Sequence, residues 1–238
     1  MITEPQLTKI RNYLLSKKLP IDILIEVNDH FVSQILDIQR EENLSFEEAF
    51  EKTKEDWKKD LTLSWDGSMN LENTTPFLRN VRQQIAKENF LIATKYTFIA
   101  LLTIIGSGII LNQLIFKYFT FTTLLFFSIS PFVNYVYHYK NFRIAKKYTN
   151  YILTLHQGGA VLFLGIFGVA LQFDVKFFEH SVEIQKLIHL QTTSFGHQKI
   201  AFLILGITVL ILMSIFSMIS QKKYLVQIQK VKPFLKYL

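Results

Sequence analysis

Residues 92–111, IATKYTFIALLTIIGSGIIL, constrain this chain more than any other stretch, since no charge follows Lys95 within them. At 1.5 Å rise per residue, a run of about 20 apolar residues matches the roughly 30 Å hydrocarbon thickness of a bilayer. The backbone there has no water to bond, so a helix is the economical solution. Three further runs of this kind follow, and the spacing predicts spans over about 92–111, 119–137, 151–171 and 200–220. The expected fold is therefore all-α: an N-terminal cytoplasmic three-helix domain followed by a four-helix transmembrane bundle.

Charge divides the chain at the same place. Up to Lys95 there are 13 Lys/Arg against 16 Asp/Glu; from Tyr96 onward there are 13 against 3, giving the net +7. The basic excess falls in loops and the tail of the apolar part, so it speaks for membrane topology rather than direct nucleic-acid binding. The loop after the second span and the tail together carry nine Lys/Arg, while the other two loops carry four (Lys117, Lys176, Lys186, Lys199). The positive-inside rule then places both termini in the cytoplasm of an inner-membrane, multi-pass protein. The first 20 residues are charged and amphipathic, unlike a cleavable signal peptide.

The polar first third reads as helices at period 3.6. Thr3, Pro5 and Gln6 make a helix start, with Leu7, Ile10 and Leu14 on one face. Leu19-Pro20 breaks the chain, and Leu24, Val27, Phe31, Ile35 and Ile38 form the stripe of a second helix. Ser45 and Glu48 make a capping box ahead of Phe46, Ala49, Phe50, Trp57 and Leu61. These elements define a helical domain over 1–62, small enough to need support from a partner or from its own membrane helices. Residues 63–75 read as a linker, through Asp66-Gly67. Residues 76–220 comprise a long connecting helix, continuous from about Pro76 into the first span, and the rest of the bundle. Residues 221–238 form a basic cytoplasmic tail. Residues 172–199 read as an outer loop with a short interfacial helix in its middle.

Chemistry-bearing motifs are sparse. No HExxH, GxSxG or P-loop pattern occurs, and there are no cysteines, so no catalytic residue, cofactor or metal is expected, and the chain does not read as an enzyme. His180 and Glu183 are one turn apart, but His189 lies too far along to complete a metal site. The expected spans contain no Asp, Glu or Arg. Asn134, His156 and Gln157 lie towards the cytoplasmic ends of the second and third spans. Interhelical hydrogen bonding is their plainer use; a small polar ligand or proton site, as in a small transporter or channel, is the alternative. Gly158, Gly159, Gly165 and Gly168 are expected to permit close helix packing. Glu26, Asp29 and His30 sit within two turns of one helix beside the Val27/Phe31 stripe, a suitable helix-face contact.

The segments Leu14-Leu15, then Ile25-Glu26-Val27-Asn28-Asp29-His30-Phe31, then Leu44-Ser45-Phe46-Glu47-Glu48-Ala49-Phe50 resemble the small α-helical signalling domain called HAAS. They are also similar to the prefix domain of some transporter permeases. The resemblance covers about a quarter of the chain and departs from the family at Asn43-Leu44, where a glycine is usual before the serine. It implies a bacterial membrane protein in signalling, whose cytoplasmic domain binds a PadR-like helix-turn-helix regulator or a transporter component. On that reading the partner-binding residues are Glu26, Asp29 and His30, with Trp57 as an apolar anchor. The lipid bilayer is the other partner, and the small residues of the bundle leave a homodimer open.

Overall fold

The computed structural model describes residues 2–65, 73–191 and 196–238, the side chain of residue 197 excepted. Asp66-Gly67 of the expected linker lies outside the described residues. Ten helices are described: α1 (Glu4–Leu15), α2 (Ile21–Glu42), α3 (Phe46–Asp56), α4 (Lys58–Leu61), α5 (Pro76–Ile110), α6 (Gln113–Tyr137), α7 (Tyr139–Lys147), α8 (Gln157–Glu179), α9 (Ser181–Ile188) and α10 (His197–Val231). A 3₁₀ turn, Lys232–Tyr237, closes the chain. The fold is all-α, and four stretches are long and apolar enough to cross a membrane: Pro76–Ile110, Gln113–Tyr137, Gln157–Glu179 and Gln198–Tyr237.

The chain forms two compact units. The first gathers residues 1–86, 143–155 and 225–238; the second gathers 87–142 and 156–224.

In the first unit the period-3.6 stripes meet. Ile10 and Leu14 of α1, Leu24, Val27, Phe31 and Ile35 of α2, and Phe46, Ala49 and Phe50 of α3 are buried together with Leu61 and Leu78. Local signals set the helix ends. The Thr3 N–H donates to Gln6 Oε1 at 2.8 Å, and the Ser45 N–H donates to Glu48 Oε2 at 3.0 Å. The hydrogen bonds from Ser45 hold the Glu48 carboxyl below its ordinary range. Asn43 stops α2 at φ 56°, the left-handed conformation that glycine adopts without strain and asparagine tolerates. The ends of the expected linker are joined as an isolated bridge, Ser64 and Thr74 exchanging N–H···O bonds of 3.1 and 3.0 Å.

Two boundaries in this unit differ from the sequence expectation. The tail over 221–238 is not a separate extension: α10 continues to Val231, and Phe234 packs against the core of the first unit. Arg11 lies over the rings of Tyr237, at 4.0 Å, and Phe234, at 5.7 Å. The third span does not begin at Tyr151, because residues 152–154 are in no helix and helix resumes only at Gln157. The domain expected over 1–62 is thus completed by two distant pieces of chain.

In the second unit, a buried cluster joins Ala93, Ala100 and Ile104 of α5, Phe116 and Leu124 of α6, Phe177 of α8, Ile184 of α9, and Ile200, Leu203, Ile207 and Ile211 of α10. An aromatic seam runs between α6 and α8, with Phe132 stacked on Phe167 at 5.2 Å and Phe121 tilted against Phe178 at 4.9 Å. Of the four glycines expected to mediate packing in α8, Gly159 does so: a Cβ there would lie 2.5 Å from Ser220 Oγ, whereas Gly158, Gly165 and Gly168 face open space. The closer approach is at Gly206 of α10, where a Cβ would overlap the Phe173 ring.

The outer loop expected over 172–199 is mostly helix. α8 continues to Glu179, and α9 turns back onto the end of α5. Gln185 Nε2 donates to the carbonyls of Gly108 at 3.0 Å and Leu111 at 2.8 Å, and His189 Nε2 lies 3.1 Å from the Gly108 carbonyl. These contacts satisfy C-terminal carbonyls that a helix cannot pair within itself. The polar α8–α9 stretch ended the apolar run without ending the helix.

Candidate functional site

The most specific polar construction in the first unit lies at the N-terminus of α2. Pro20, in the N-cap position, has no N–H and a side chain that cannot cap, so the first amides of α2 need other acceptors. They find them about 130 residues away in the chain. The Ile21 N–H donates to the Ile152 carbonyl at 2.9 Å and the Asp22 N–H to the Leu153 carbonyl at 3.1 Å. The Asp22 carboxylate completes the arrangement, accepting from the Ile23 N–H at 3.0 Å through Oδ1 and from the Leu155 N–H at 3.1 Å through Oδ2. Residues 152–155, which lie outside any helix, are thereby clamped to a helix end, with Leu153 fully buried and Asp22 only 6% exposed.

Burial of Asp22 outweighs those hydrogen bonds, and with a smaller push from Glu26 it raises the carboxyl to about 6. The clamp therefore holds a group whose charge changes near neutrality. Its sequence signal was an acidic residue in the first turn of a proline-initiated helix, a pattern usually read as a solvated dipole partner. Nothing local marked residues 152–155 as its counterpart.

Glu26, Asp29 and His30 all lie exposed on α2, one to two turns beyond the clamp. Trp57 does not join them. Its Nε1 donates to Gln34 Oε1 at 2.8 Å, and its ring packs against Phe31 at 5.2 Å and Phe77 at 6.0 Å. It is half-buried and closes the core of the unit.

In the second unit, Asn134, His156 and Gln157 do not form one hydrogen-bonded set. Asn134 Nδ2 donates instead to Gln221 Oε1 at 2.7 Å, and Gln221 Nε2 donates to the carbonyls of Pro131 and Ala160, both at 3.0 Å. Gln221, assigned by sequence to the tail, is fully buried and ties α6, α8 and α10 together with every amide atom used. His156 Nδ1 and Gln157 Oε1 are buried without partners. Most hydroxyls in the spans bond back to their own helix: Thr97 to Ala93, Thr103 to Ile99 and Thr208 to Ile204. Among the described residues no group of three or more His, Asp or Glu is placed to hold a metal ion.

The expectation that the spans hold no acid is overturned by the length of α8. Asp174 falls inside the candidate span Gln157–Glu179, is 3% exposed, and accepts from Ser128 Oγ of α6 at 2.7 Å.

Comparisons of the chain with protein-family models, with curated proteins and with solved structures gave no match.

Proposed function

We propose that this chain is a regulatory membrane protein: its first unit is a partner-binding module on the cytoplasmic side, and its second is a four-span bundle. The observation that carries the reading is the composition of the first unit from residues 1–86, 143–155 and 225–238. A unit built from three chain segments lies on one side of a bilayer only if the spans between them come in pairs. α5 and α6 separate the first segment from the second, and α8 and α10 separate the second from the third. Two hairpins through the membrane meet that condition and bring both termini to one face. The Lys/Arg count supports placing that face in the cytoplasm.

The Asp22 clamp supports a regulatory role. It joins α2, which displays Glu26, Asp29 and His30, to the residues immediately before α8. A change in the path of residues 152–155 would be felt at the helix that presents the contact face. The partner expected is a helix-turn-helix regulator or a transporter component, matching the HAAS resemblance. The test is co-purification of full-length protein from its own membranes in mild detergent, comparing wild type with a Glu26→Ala/Asp29→Ala/His30→Ala variant. A regulator or transporter component held by wild type and lost from the variant supports the reading. Retention of that partner by a folded variant refutes the assigned face.

A further inference from the structure

The Asp174–Ser128 pair has no role in helix capping and lies outside the Asp22 clamp. Its carboxyl is buried within a candidate membrane span. The charged and titratable groups of the surrounding elements towards that end of the bundle include Lys117 and Tyr118 on α6, Lys176 and Glu179 on α8, His180, Glu183, Lys186 and His189 on or beside α9, and His197 and Lys199 on α10. Lys176 pairs with Glu179 at 2.8 Å and Lys186 with Glu183 at 3.3 Å, while Lys117 lies over the Phe178 ring at 4.1 Å. Among the described residues no Lys, Arg or His forms an ion pair with Asp174; its hydrogen-bond partner is the neutral Ser128 hydroxyl. α5 contributes no charged residue between Lys95 and its end at Ile110.

An ionised carboxylate in a membrane span is costly without a counter-charge, and a hydroxyl supplies none. Such a group must be neutralised by whatever cation can reach it, and the smallest is a proton. Asp174 lies five positions before the last residue of α8, about 7.5 Å along the axis, so a proton has a short path from the helix end. Ser128 is suited to either state, donating to a carboxylate or accepting from a protonated carboxyl.

We propose that Asp174 and Ser128 form a proton-binding site in the bundle, where the carboxyl takes up and releases a proton in exchange with the aqueous phase at the α8–α9 end. The site stands apart from the partner-binding reading: it concerns the bundle alone and survives if no partner is found.

The test uses full-length protein in phosphatidylcholine vesicles treated with dicyclohexylcarbodiimide, an apolar reagent for carboxyls within membranes. The carboxyl gives its proton to a carbodiimide nitrogen, and its oxygen adds to the central carbon. The O-acylisourea then rearranges to a stable N-acylurea with no leaving group, and peptide mass spectrometry locates the adduct. Labelling of Asp174 is expected to fall at least tenfold between about pH 5 and about pH 9, with the exposed Glu179 at the end of α8 unlabelled as a control. Ser128→Ala is expected to move the midpoint of that profile, and Asp174→Asn to abolish the adduct. If Asp174→Asn fails to insert, the site-resolved wild-type profile decides alone. Labelling of Asp174 that is absent, or constant across the range in a protein of unchanged helicity, overturns the proposal.

Discussion

The Asp22 clamp makes a pH prediction of definite sign. The carboxyl is raised from an ordinary 3.8 to about 6 in the folded unit. A raised folded value means that the folded form binds the proton more tightly. The resulting stabilisation is fully present below about pH 3.8 and is lost as pH rises through about 6. At 1.36 kcal/mol per pKa unit the window spans about 3 kcal/mol, an order-of-magnitude figure. Between pH 7 and pH 4.5 the free energy of opening the clamp should rise by about 2 kcal/mol, or about thirtyfold in protection. The assay is amide hydrogen exchange on full-length protein in detergent, corrected for intrinsic rates, at Ile21, Asp22 and Leu155, whose N–H groups make the clamp. Asp22→Asn keeps an acceptor and removes the titration, so its protection should be flat across the window. Asp22→Ala removes both acceptors and leaves the Leu155 and Ile23 amides buried without partners. It should lower protection, compared at pH 4.5, by about 1–3 kcal/mol. Wild-type protection that does not rise on acidification, or an Asp22→Asn variant with the wild-type pH response, would refute the reasoning.

Three single substitutions and one double variant test the packing and the backbone. Gly206→Ala should cost the bundle about 1–3 kcal/mol by driving a Cβ into the Phe173 ring, read as a lower melting temperature in detergent, and Phe173→Leu should recover part of the loss. Asn43→Gly relieves the side-chain cost at φ 56° and should stabilise the first unit by about 0.5–1 kcal/mol in urea titration; a destabilised variant would show that the Asn side chain contributes more than the backbone does. Gln221→Leu should cost about 0.6–1.7 kcal/mol in the same melting assay, since it removes bonds to Asn134, Pro131 and Ala160 together.

These predictions rest on features that were unequally legible in the sequence. The stripes of α1, α2 and α3 were readable because burial on one face leaves a period-3.6 record, and Leu24, Val27, Phe31 and Ile35 are all buried together. Capping at Thr3 and Ser45 was readable because both partners lie within four residues. Residues 151–156 read as membrane helix because a short apolar run carries no local sign of being non-helical. Its conformation is set by α2, far away in the chain. Asp174 and Gln221 were missed for the opposite reason. Hydropathy falls where polar residues enter a span, yet a helix continues as long as neighbouring helices satisfy those side chains. Trp57 looked like an anchor for a partner because an aromatic side chain near a surface helix is ambiguous until its neighbours are known.

The absence of cysteine from the chain allows the most direct test of the central claim. Single substitutions Thr3→Cys, Asn150→Cys and Lys236→Cys mark the three segments of the first unit, and Gln113→Cys and Gln191→Cys mark the opposite ends of the spans; all five positions are exposed. Labelling of intact cells and of permeabilised cells with a membrane-impermeant maleimide should divide them cleanly. The account predicts that positions 3, 150 and 236 react only after permeabilisation and that positions 113 and 191 react in intact cells. If any of positions 3, 150 and 236 reacted on the opposite side from the other two, the two-hairpin topology and the shared unit it supports would be contradicted.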